Sequence, residues 1–386
     1  MDVVVVTWQA GGGAQTALAL GGLLAGRGHQ VRVLAPADMR GRVVAAGCVP
    51  LPYPGELEFD PTRGRRMEDQ RPLLERLFFG RDLPHALLAE VEARPSAVVV
   101  VDYLLRSTVA ATELQPAPAA LLIHTIHGFH GVTEGEDARS RSFEPVNRSR
   151  AELGLAPLPT GRDSVTIELV RRAAGALVAL PREFDDWPQP PPGVVHLGPM
   201  SEQTTDVEWS RPWAEDDLRP LVVVTLGTTY MQQEEVVGRV ARALHPHDVR
   251  MLVLTGPELG PREVDVPDGV VVERYVPHGA VLPDAALVVA HGGTGTVLAA
   301  LSAGAPVLSL PLGRDQPANA RRLEQLGLGR ALDRDASTGE ISETAAAMLG
   351  SEPLRARVRD FASLVGRYDP GARAGSTLER LALIPG

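Results

Sequence analysis

Short runs of apolar residues alternate with longer helix-like segments along most of the chain. In the first half, four apolar runs predict buried strands: Val3–Val6, Val31–Leu34, Val98–Val101 and Ala119–His124. The segment Ala14–Gly26 is predicted as a helix, because it follows a glycine turn and ends at a Gly-Arg-Gly stop. Repeats of strand, helix and strand predict a parallel sheet with right-handed crossovers.

The same alternation resumes after a proline-rich stretch at residues 185–220, which predicts an extended linker because proline fixes φ and removes a donor. The strands predicted beyond it are Leu221–Leu226, Met251–Thr255, Val270–Glu273, Leu287–Ala290 and Val307–Pro311, and the helices are Glu234–Leu244, Gly295–Ala303 and Asn319–Leu326. Residues 354–383 are predicted to be helical. Residues 53–85 and 128–163 have weak periodicity, which predicts irregular segments that are functional or mobile.

The predicted fold is therefore α/β, with two Rossmann-like, doubly wound domains. The length of 386 residues fits two domains, since a domain averages about 150 residues. We assign residues 1–200 to an N-terminal domain, 201–219 to the linker, 220–365 to a C-terminal domain and 366–386 to a final helix.

Composition excludes several classes of protein. The net charge is −10 and no basic stripe is present, which argues against a nucleic-acid partner. The single cysteine, Cys48, excludes an internal disulfide and a thiolate zinc site, and it is predicted to be buried or half-buried. The chain starts with a strand, without a basic signal region or an apolar run of about 18–20 residues. We therefore expect a cytoplasmic protein without membrane insertion.

The strongest motif follows the predicted strand Leu287–Ala290 and reads His291-Gly-Gly-Thr-Gly-Thr296. Here a strand ends, a glycine turn follows and a helix begins. The first turn of a helix offers free N–H groups and the positive end of the helix dipole, and glycine lets the backbone approach an anion closely, so the motif predicts a phosphate site. Asp315 and Gln316 come just past the next strand, where ligands bind in open α/β sheets, and such a pair can hold sugar hydroxyls.

With Tyr275-Val-Pro-His278 before it and Asn319 after it, this motif resembles the donor-binding region of family 1 glycosyltransferases. The closest resemblance is to the bacterial branch that attaches sugars to antibiotics and other natural products. It extends over nearly the whole chain, including Leu197-Gly-Pro199 and Thr225-Leu-Gly-Thr228. It implies the GT-B fold, in which two domains face each other across a cleft and the final helix crosses back. It also implies a nucleoside-diphosphate sugar as donor and a small-molecule aglycone as acceptor.

The resemblance implies a role for each position of the donor region. The diphosphate would contact Thr228, His291, Gly293, Gly295 and Thr296, with Thr294 as a further hydroxyl donor; Tyr275 and Val276 would hold the base, and Asp315 and Gln316 the sugar. The family more often has Trp and Gln at the positions of Tyr275 and His278, which leaves the base open. The implied donor is a deoxysugar on thymidine diphosphate.

No metal and no other cofactor is predicted. Asp333-Arg-Asp335 has the spacing of a metal-binding motif, but it follows a helix away from the diphosphate turn and is interpreted as a solvated turn. The Gly11–Gly13 turn does not fit a dinucleotide site, because Thr16 stands where the third glycine is needed. A homodimer is left open.

The catalytic base is the unusual point of the chain. Family members commonly have a histidine in the first glycine turn, and its position falls on Gly13. Asp102 matches the acid that orients this histidine, and it has either lost that role or become the base. His127 and Asp102 are the first candidates for the base and Asp137 is the next, since histidines and carboxylates at strand ends suit proton abstraction.

The missing histidine raises the chance of attachment to carbon, or of an acidic acceptor such as a phenol. Residues predicted to bind an apolar aromatic or polyketide acceptor are Trp8, Gly13, Phe79, His124 and Phe129, with core packing as the alternative for the aromatic ones. The predicted reaction is an inverting displacement. A nucleotide-sugar 2-epimerase, a catalytically silent sugar-nucleotide-binding protein and, more weakly, a lipid-intermediate transferase are the rival interpretations.

Overall fold

The structure is a computed structural model, and it describes residues 1–9, 11–57, 67–127, 129, 136–160, 163–200, 209–227, 231–256 and 259–384. The chain divides into two compact units. Unit 1 holds the described residues of 1–60, 67–202 and 369–386, and unit 2 holds those of 203–368.

Unit 1 is built on a parallel sheet. Among its described residues the strands are β1 (Asp2–Val6), β2 (Gln30–Leu34), β3 (Val49–Leu51), β4 (Val98–Asp102), β5 (Ala119–Ile123), β6 (Gly175–Val178) and β7 (Val194–His196). Their order in the sheet is β3-β2-β1-β4-β5-β6-β7, so the strand order reverses between β1 and β4. β4 and β5 are buried along their whole length, as expected for strands that are covered on both faces.

Helices of unit 1 connect these strands. They are α1 (Gly11–Gly26), α2 (Arg40–Ala45), α3 (Met67–Phe79), α4 (Asp82–Ala93), α5 (Arg106–Ala111), α6 (Glu136–Glu152) and α7 (Val165–Arg172). α3 and α6 lie in residues 53–85 and 128–163, so the prediction that these segments are irregular is wrong for both helices. Each contains an internal proline, Pro72 or Pro145, which is unfavourable inside a helix, and α6 also has few apolar residues. Both pack against α5, and this tertiary contact outweighs weak local propensity.

Unit 2 is built on a second parallel sheet, whose strand order also reverses once. Its described strands are β8 (Leu221–Thr225), β9 (Arg250–Leu254), β10 (Val271–Glu273), β11 (Ala285–Ala290), β12 (Val307–Ser309) and β13 (Gly329–Ala331). The order is β10-β9-β8-β11-β12-β13, with the reversal between β8 and β11. Its described helices are α8 (Glu234–Leu244), α9 (His278–Val281), α10 (Thr294–Ser302), α11 (Gln316–Leu326), α12 (Thr338–Leu349) and α13 (Glu352–Val365). The predicted α/β class with two doubly wound sheets is confirmed.

Four strands were not predicted: β3, β6, β7 and β13. Each has only three or four residues, too few for a periodic pattern. β7 also lies inside the stretch 185–220 that was predicted as linker, and it is instead an edge strand of unit 1 that pairs with β6. Residues 354–383 are helical as predicted, in two separate helices. α13 ends at Gly366, and a separate helix, α14 (Pro370–Leu381), begins after Asp369.

α14 belongs to unit 1 although it follows unit 2 in the chain. Asp369 caps it, since the carboxylate accepts the Ala372 N–H at 2.8 Å. Ala374 and Leu378 are fully buried in the same apolar cluster as Leu18 of α1 and Val3 of β1. α14 is therefore part of the core of unit 1.

Two smaller predictions concern the whole chain. Cys48 is buried, as predicted, and burial raises the pKa of its thiol to about 11. Within the described ranges, no helix combines the length and apolar character needed to cross a membrane.

Candidate active site

The glycine turn after β11 leads directly into α10. Gly292 has φ +86°, and a β-carbon there would lie 2.6 Å from Ser309 Oγ, so this position requires glycine. Gly293 is the N-cap of α10 (φ −63°, ψ 138°), and no side chain caps the helix. The first N–H groups of α10 thus keep their capacity to bind an anion, aided by the helix dipole.

The His291 ring lies between two glycines. A β-carbon at Gly293 would lie 2.5 Å from His291 Nε2, and one at Gly227, which follows β8, would lie 3.0 Å from the same atom. Larger residues at either position would displace the ring. Because β8 and β11 flank the reversal point of the sheet, this ring lies where ligands bind in doubly wound folds.

The electrostatics keep His291 neutral. Burial lowers the pKa of His291 to about 4, although the charge of Asp315 and a hydrogen bond with the Thr225 backbone act in the opposite direction. Nδ1 is buried and has no hydrogen-bond partner among the described residues. A neutral imidazole can donate one N–H to a ligand.

This burial predicts a pH-dependent stability. In the unfolded chain a histidine has a pKa near 6.5, so between pH 6.5 and 4 the unfolded state takes up a proton that the native state does not. His291 therefore contributes stability above pH 6.5 that is lost as the pH falls toward 4. Wild type should lose about 2 kcal/mol more than His291→Gln between pH 7.5 and 4.5. Urea unfolding of both proteins at the two pH values measures this difference, and parallel losses would contradict the prediction.

Asp315 fastens the turn to α11. Its Oδ2 accepts the Thr294 hydroxyl at 2.7 Å and Asn319 Nδ2 at 2.9 Å. Asn319 Nδ2 also donates to the Gly292 carbonyl at 2.9 Å. Asp315 stands at the N-cap of α11 but makes no side-chain capping bond, so its carboxylate does not cap this helix. The other oxygen, Oδ1, has no protein partner in the described part of the chain, so it can accept a ligand hydroxyl.

Gln316 is buried, and its side chain already has protein partners. Its Oε1 accepts the N–H groups of Leu312 and Gly313 at 2.7 and 3.1 Å, and its Nε2 lies 3.5 Å from Met231 Sδ. Gln316 thus shapes the turn before α11. Its predicted contact with the sugar stays a prediction.

The other predicted donor residues are distributed around this turn. The Tyr275 side chain is 51% exposed beside the buried Val276, so the ring has a free face for stacking. Gly295 and Thr296 lie in the first turn of α10, and a β-carbon at Gly295 would meet nothing within 4 Å. Thr228 lies outside the described residues.

Unit 1 has a buried carboxylate and a histidine at its own reversal point. Asp102, the last residue of β4, is fully buried, and its Oδ1 accepts the Leu104 N–H at 2.9 Å. Its Oδ2 lies 3.1 Å from Nε2 of His124, the residue that follows β5. A β-carbon at Gly13, in the first turn of α1, would lie 2.6 Å from that Oδ2 and 2.9 Å from that Nε2. The structure therefore adds His124, which the sequence predicted only as an acceptor-binding residue, to Gly13 and Asp102.

His127 lies in a different cluster. Its ring stacks on Trp187 with centroids 4.6 Å apart, and burial lowers its pKa. Its backbone N–H donates to Asp185 Oδ1 at 2.9 Å, and the other oxygen of Asp185 lies 2.7 Å from His196 Nε2. The proposed role of His127 as base remains a prediction. Asp137 belongs to α6, and its side chain lies outside the described part of the structure.

Aromatic side chains predicted to bind the acceptor show different degrees of burial. Trp8 is buried, and its ring lies edge to face against the Phe78 ring with centroids 4.9 Å apart. The Phe78 and Phe79 rings are also edge to face, with centroids 6.4 Å apart. Phe129 is 39% exposed. The Tyr53 hydroxyl is buried without a partner among the described residues, and burial raises its pKa, with the charge of Asp102 acting in the same direction.

Asp333-Arg-Asp335 is the motif with the spacing of a metal site. Asp333 and Asp335 are exposed, and Asp333 Oδ1 accepts the Asp335 N–H at 2.9 Å, which is a solvated turn. In the described segments, no group of three or more His, Cys, Asp or Glu side chains is arranged to hold a metal ion.

Comparisons with known proteins agree with this geometry. Residues 242–364 match the family model described as the C-terminal domain of erythromycin biosynthesis protein CIII-like proteins. The chain is 34% identical over 289 residues to L-demethylnoviosyl transferase of Streptomyces niveus, covering 71% of each protein. It is 27% identical over 379 residues to demethyllactenocin mycarosyltransferase of Streptomyces fradiae, covering 93% of this chain and 81% of that protein.

The fold has close counterparts among solved structures. The crystal structure of glycosyltransferase VinC in complex with dTDP superposes with a TM-score of 0.75 at 18% identity, covering 99% of each chain. At that identity the likeness concerns the fold, and the family follows from the sequence relatives. The chain therefore belongs to the family 1 glycosyltransferases with the GT-B fold, in the branch that transfers sugars from nucleotide donors to small natural-product acceptors.

Proposed function

We propose that the chain transfers a deoxysugar from thymidine diphosphate to a hydroxyl group of an apolar aromatic or polyketide natural product, with inversion at the anomeric carbon and without a metal ion. The observation that carries this proposal is the uncapped N-terminus of α10 behind the His291-Gly-Gly turn. We assign donor binding to unit 2 and acceptor binding to unit 1.

The donor half of the proposal rests on electrostatics. Negative charge develops on the diphosphate as it departs. The N–H groups and the dipole of α10 are fixed donors for that charge, and the neutral His291 ring beside Gly293 can donate a further N–H. This arrangement can do the work of a metal ion, which supports a metal-independent reaction.

The exposed ring of Tyr275 beside Val276 offers a stacking surface for the nucleobase. Thymine as that base is supported by glycosyltransferase VinC, which has the same fold and was solved in complex with dTDP. The sugar would contact Asp315 through Oδ1, the oxygen that the turn does not use.

Inversion follows from a single displacement. The acceptor oxygen forms a bond to the anomeric carbon as the bond from that carbon to the diphosphate oxygen breaks, and the electron pair leaves with the nucleoside diphosphate. The hydroxyl proton passes to a protein base. A single displacement of this kind inverts the configuration at the anomeric carbon.

Attachment to oxygen is favoured over attachment to carbon. The case for carbon depended on Gly13 leaving Asp102 without a histidine. In the structure, His124 contacts Asp102 instead, at 3.1 Å. Acid hydrolysis of the product separates the two outcomes, because a glycoside linked through oxygen is cleaved and one linked through carbon is not.

Calorimetry with thymidine and uridine diphosphates tests the donor site. We expect tighter binding of the thymidine nucleotide, and about a 10- to 100-fold loss of affinity in His291→Ala, because a hydrogen bond to a charged group is removed. His245→Ala, an exposed histidine of the same unit, is the matched control and should bind like wild type. Turnover of a thymidine-diphosphate sugar with an aromatic acceptor should be unchanged in EDTA.

Four results would contradict the proposal. If wild type bound neither nucleotide, the assignment of the donor site to unit 2 would be wrong. If EDTA abolished turnover, the reaction would require a metal ion. Conversion of the nucleotide sugar without any acceptor would favour a 2-epimerase, whereas tight binding without turnover of any kind would favour a silent binding protein.

A further inference from the structure

We propose that His124, held by Asp102, is the base that takes the proton from the acceptor hydroxyl. This inference rests on the proposed function, and it names a residue for one of its steps. Gly13, at the position where the family commonly has its histidine, has no side chain to supply this base.

Position 13 and His124 compete for one space. A β-carbon on Gly13 would point at Asp102 Oδ2 and His124 Nε2, at 2.6 and 2.9 Å. Any side chain at position 13 would therefore collide with the imidazole that is now there. One imidazole fits beside Asp102, and the residue after β5 supplies it.

Asp102 fixes the orientation of this imidazole. The carboxylate is fully buried, and the Leu104 N–H holds its Oδ1 at 2.9 Å, so Oδ2 has a defined position. When Nε2–H of His124 donates to Oδ2, Nδ1 carries the lone pair that can accept a proton. The imidazolium formed in this way is stabilised by the adjacent carboxylate, which is the role of the acid in a catalytic triad.

The position of this pair in the sheet distinguishes it from the other histidine–carboxylate pair described in unit 1, Asp185 and His196. Asp102 and His124 follow β4 and β5, next to the reversal between β1 and β4, where doubly wound sheets bind ligands. Asp185 and His196 belong instead to the edge of the sheet at β7, and Asp185 Oδ1 is occupied by the His127 N–H. The His124 side chain is 10% exposed, whereas the Asp102 side chain has no exposed surface.

Other groups next to the pair are compatible with proton transfer. The Tyr103 ring meets the His124 ring at an angle, with centroids 5.1 Å apart. The buried Tyr53 hydroxyl feels the charge of Asp102, and its raised pKa keeps it protonated. The negative charge next to the imidazole is thus that of Asp102, and it favours the protonated ring after transfer.

In this step the acceptor O–H bond breaks and its proton binds His124 Nδ1. The oxygen lone pair forms the bond to the anomeric carbon of the donor sugar, and the electron pair of the broken carbon–oxygen bond leaves with the nucleoside diphosphate. Release of the proton to water then restores neutral His124.

His124→Gln tests the assignment, because the glutamine amide can still donate to Asp102 but has no basic nitrogen. Transfer is measured at pH 8 from thymidine diphosphate glucose and its 6-deoxy analogue to two probes, 2-naphthalenemethanol and 4-nitrophenol. The alcohol needs a base, whereas the acidic phenol is already ionised. We expect about a 100- to 10,000-fold loss with the alcohol and less than about a 10-fold loss with the phenol.

His124→Ala provides the second test, because it removes both the basic nitrogen and the bond to Asp102, and it should lose at least as much of the rate with the alcohol as His124→Gln. His85→Gln, an exposed histidine on α4, is the matched control and should transfer like wild type. Calorimetry with thymidine diphosphate should give the wild-type affinity for every variant, and an unchanged midpoint of thermal unfolding verifies that unit 1 is folded in each one.

Several results would overturn the assignment. His124→Gln with a rate near wild type would exclude His124 as the base, and equal losses with both probes would indicate a structural role. A selective loss in His127→Gln instead would transfer the role to His127. If wild type binds no thymidine diphosphate and glycosylates neither probe, the proposed function itself fails; if it does both and His124→Gln matches it, only this inference fails.

Discussion

Gly13→Ala is expected to lower the rate of sugar transfer by about 100-fold while the protein stays folded. The new methyl group would lie 2.6 Å from Asp102 Oδ2 and 2.9 Å from His124 Nε2, so the pair must separate. Asp102 is held in place by the Leu104 N–H, and His124 is the partner with an exposed edge, so the imidazole moves away from the carboxylate. The rate of transfer to an alcohol and the midpoint of thermal unfolding measure the two effects.

Gly12→Ala is the matched control for this substitution. Gly12 is in the same turn of α1, and a β-carbon there would meet nothing within 4 Å. It should transfer like wild type and gain up to about 1 kcal/mol of stability, because alanine is the better helix former. An equal loss of activity in both variants would show that the turn, and not the pair, is sensitive to a methyl group.

Gly292→Ala should have the largest effect on stability, a loss of about 3 kcal/mol or more in unit 2. Two costs combine at this position. Its φ of +86° strains any residue with a β-carbon, and that carbon would lie 2.6 Å from Ser309 Oγ and 3.2 Å from the Gln316 carbonyl oxygen. Since the turn also positions His291, the affinity for thymidine diphosphate should fall along with stability. Urea unfolding and calorimetry measure both quantities.

Gly304→Ala separates these two costs. Gly304 has φ +83°, but the nearest atom to a β-carbon there is Arg359 Cγ at 3.9 Å. It shares the strain without the collision, so it should cost about 1–2 kcal/mol and leave nucleotide binding intact. Equal losses of stability in the two variants would mean that Ser309 and α11 adjust freely to the added methyl group.

The donor site could be predicted from the sequence because its elements are contiguous. A strand, a glycine turn and a helix occur within the sixteen residues from Leu287 to Ser302, and each has its own local pattern. The order of the apolar runs also predicted the fold class, since strands buried on both faces lack alternation. The three-residue strands β3 and β13 escaped prediction because their position depends on pairing with a neighbour.

The pair in unit 1 could not be predicted in the same way. Gly13, Asp102 and His124 come from three separate elements, and only the parallel pairing of β1, β4 and β5 brings them together. His124 and His127 are three residues apart, and the sequence does not indicate which of them points at Asp102. What the sequence did contain was the pattern of a missing histidine and a retained acid, which marked this position as one where another residue had to act.

The place of α14 has a consequence for synthesis of the chain. Domains generally fold in the order in which the ribosome makes them. Here Ala374 and Leu378 complete the apolar cluster of unit 1, yet they are made only after all of unit 2. At ordinary rates of translation, unit 1 would wait about 10 to 30 s for its last helix, with the surface of α1 exposed. Unit 2 can therefore fold before unit 1 is complete, and we expect chaperones to bind the nascent protein at the uncovered apolar surface of α1.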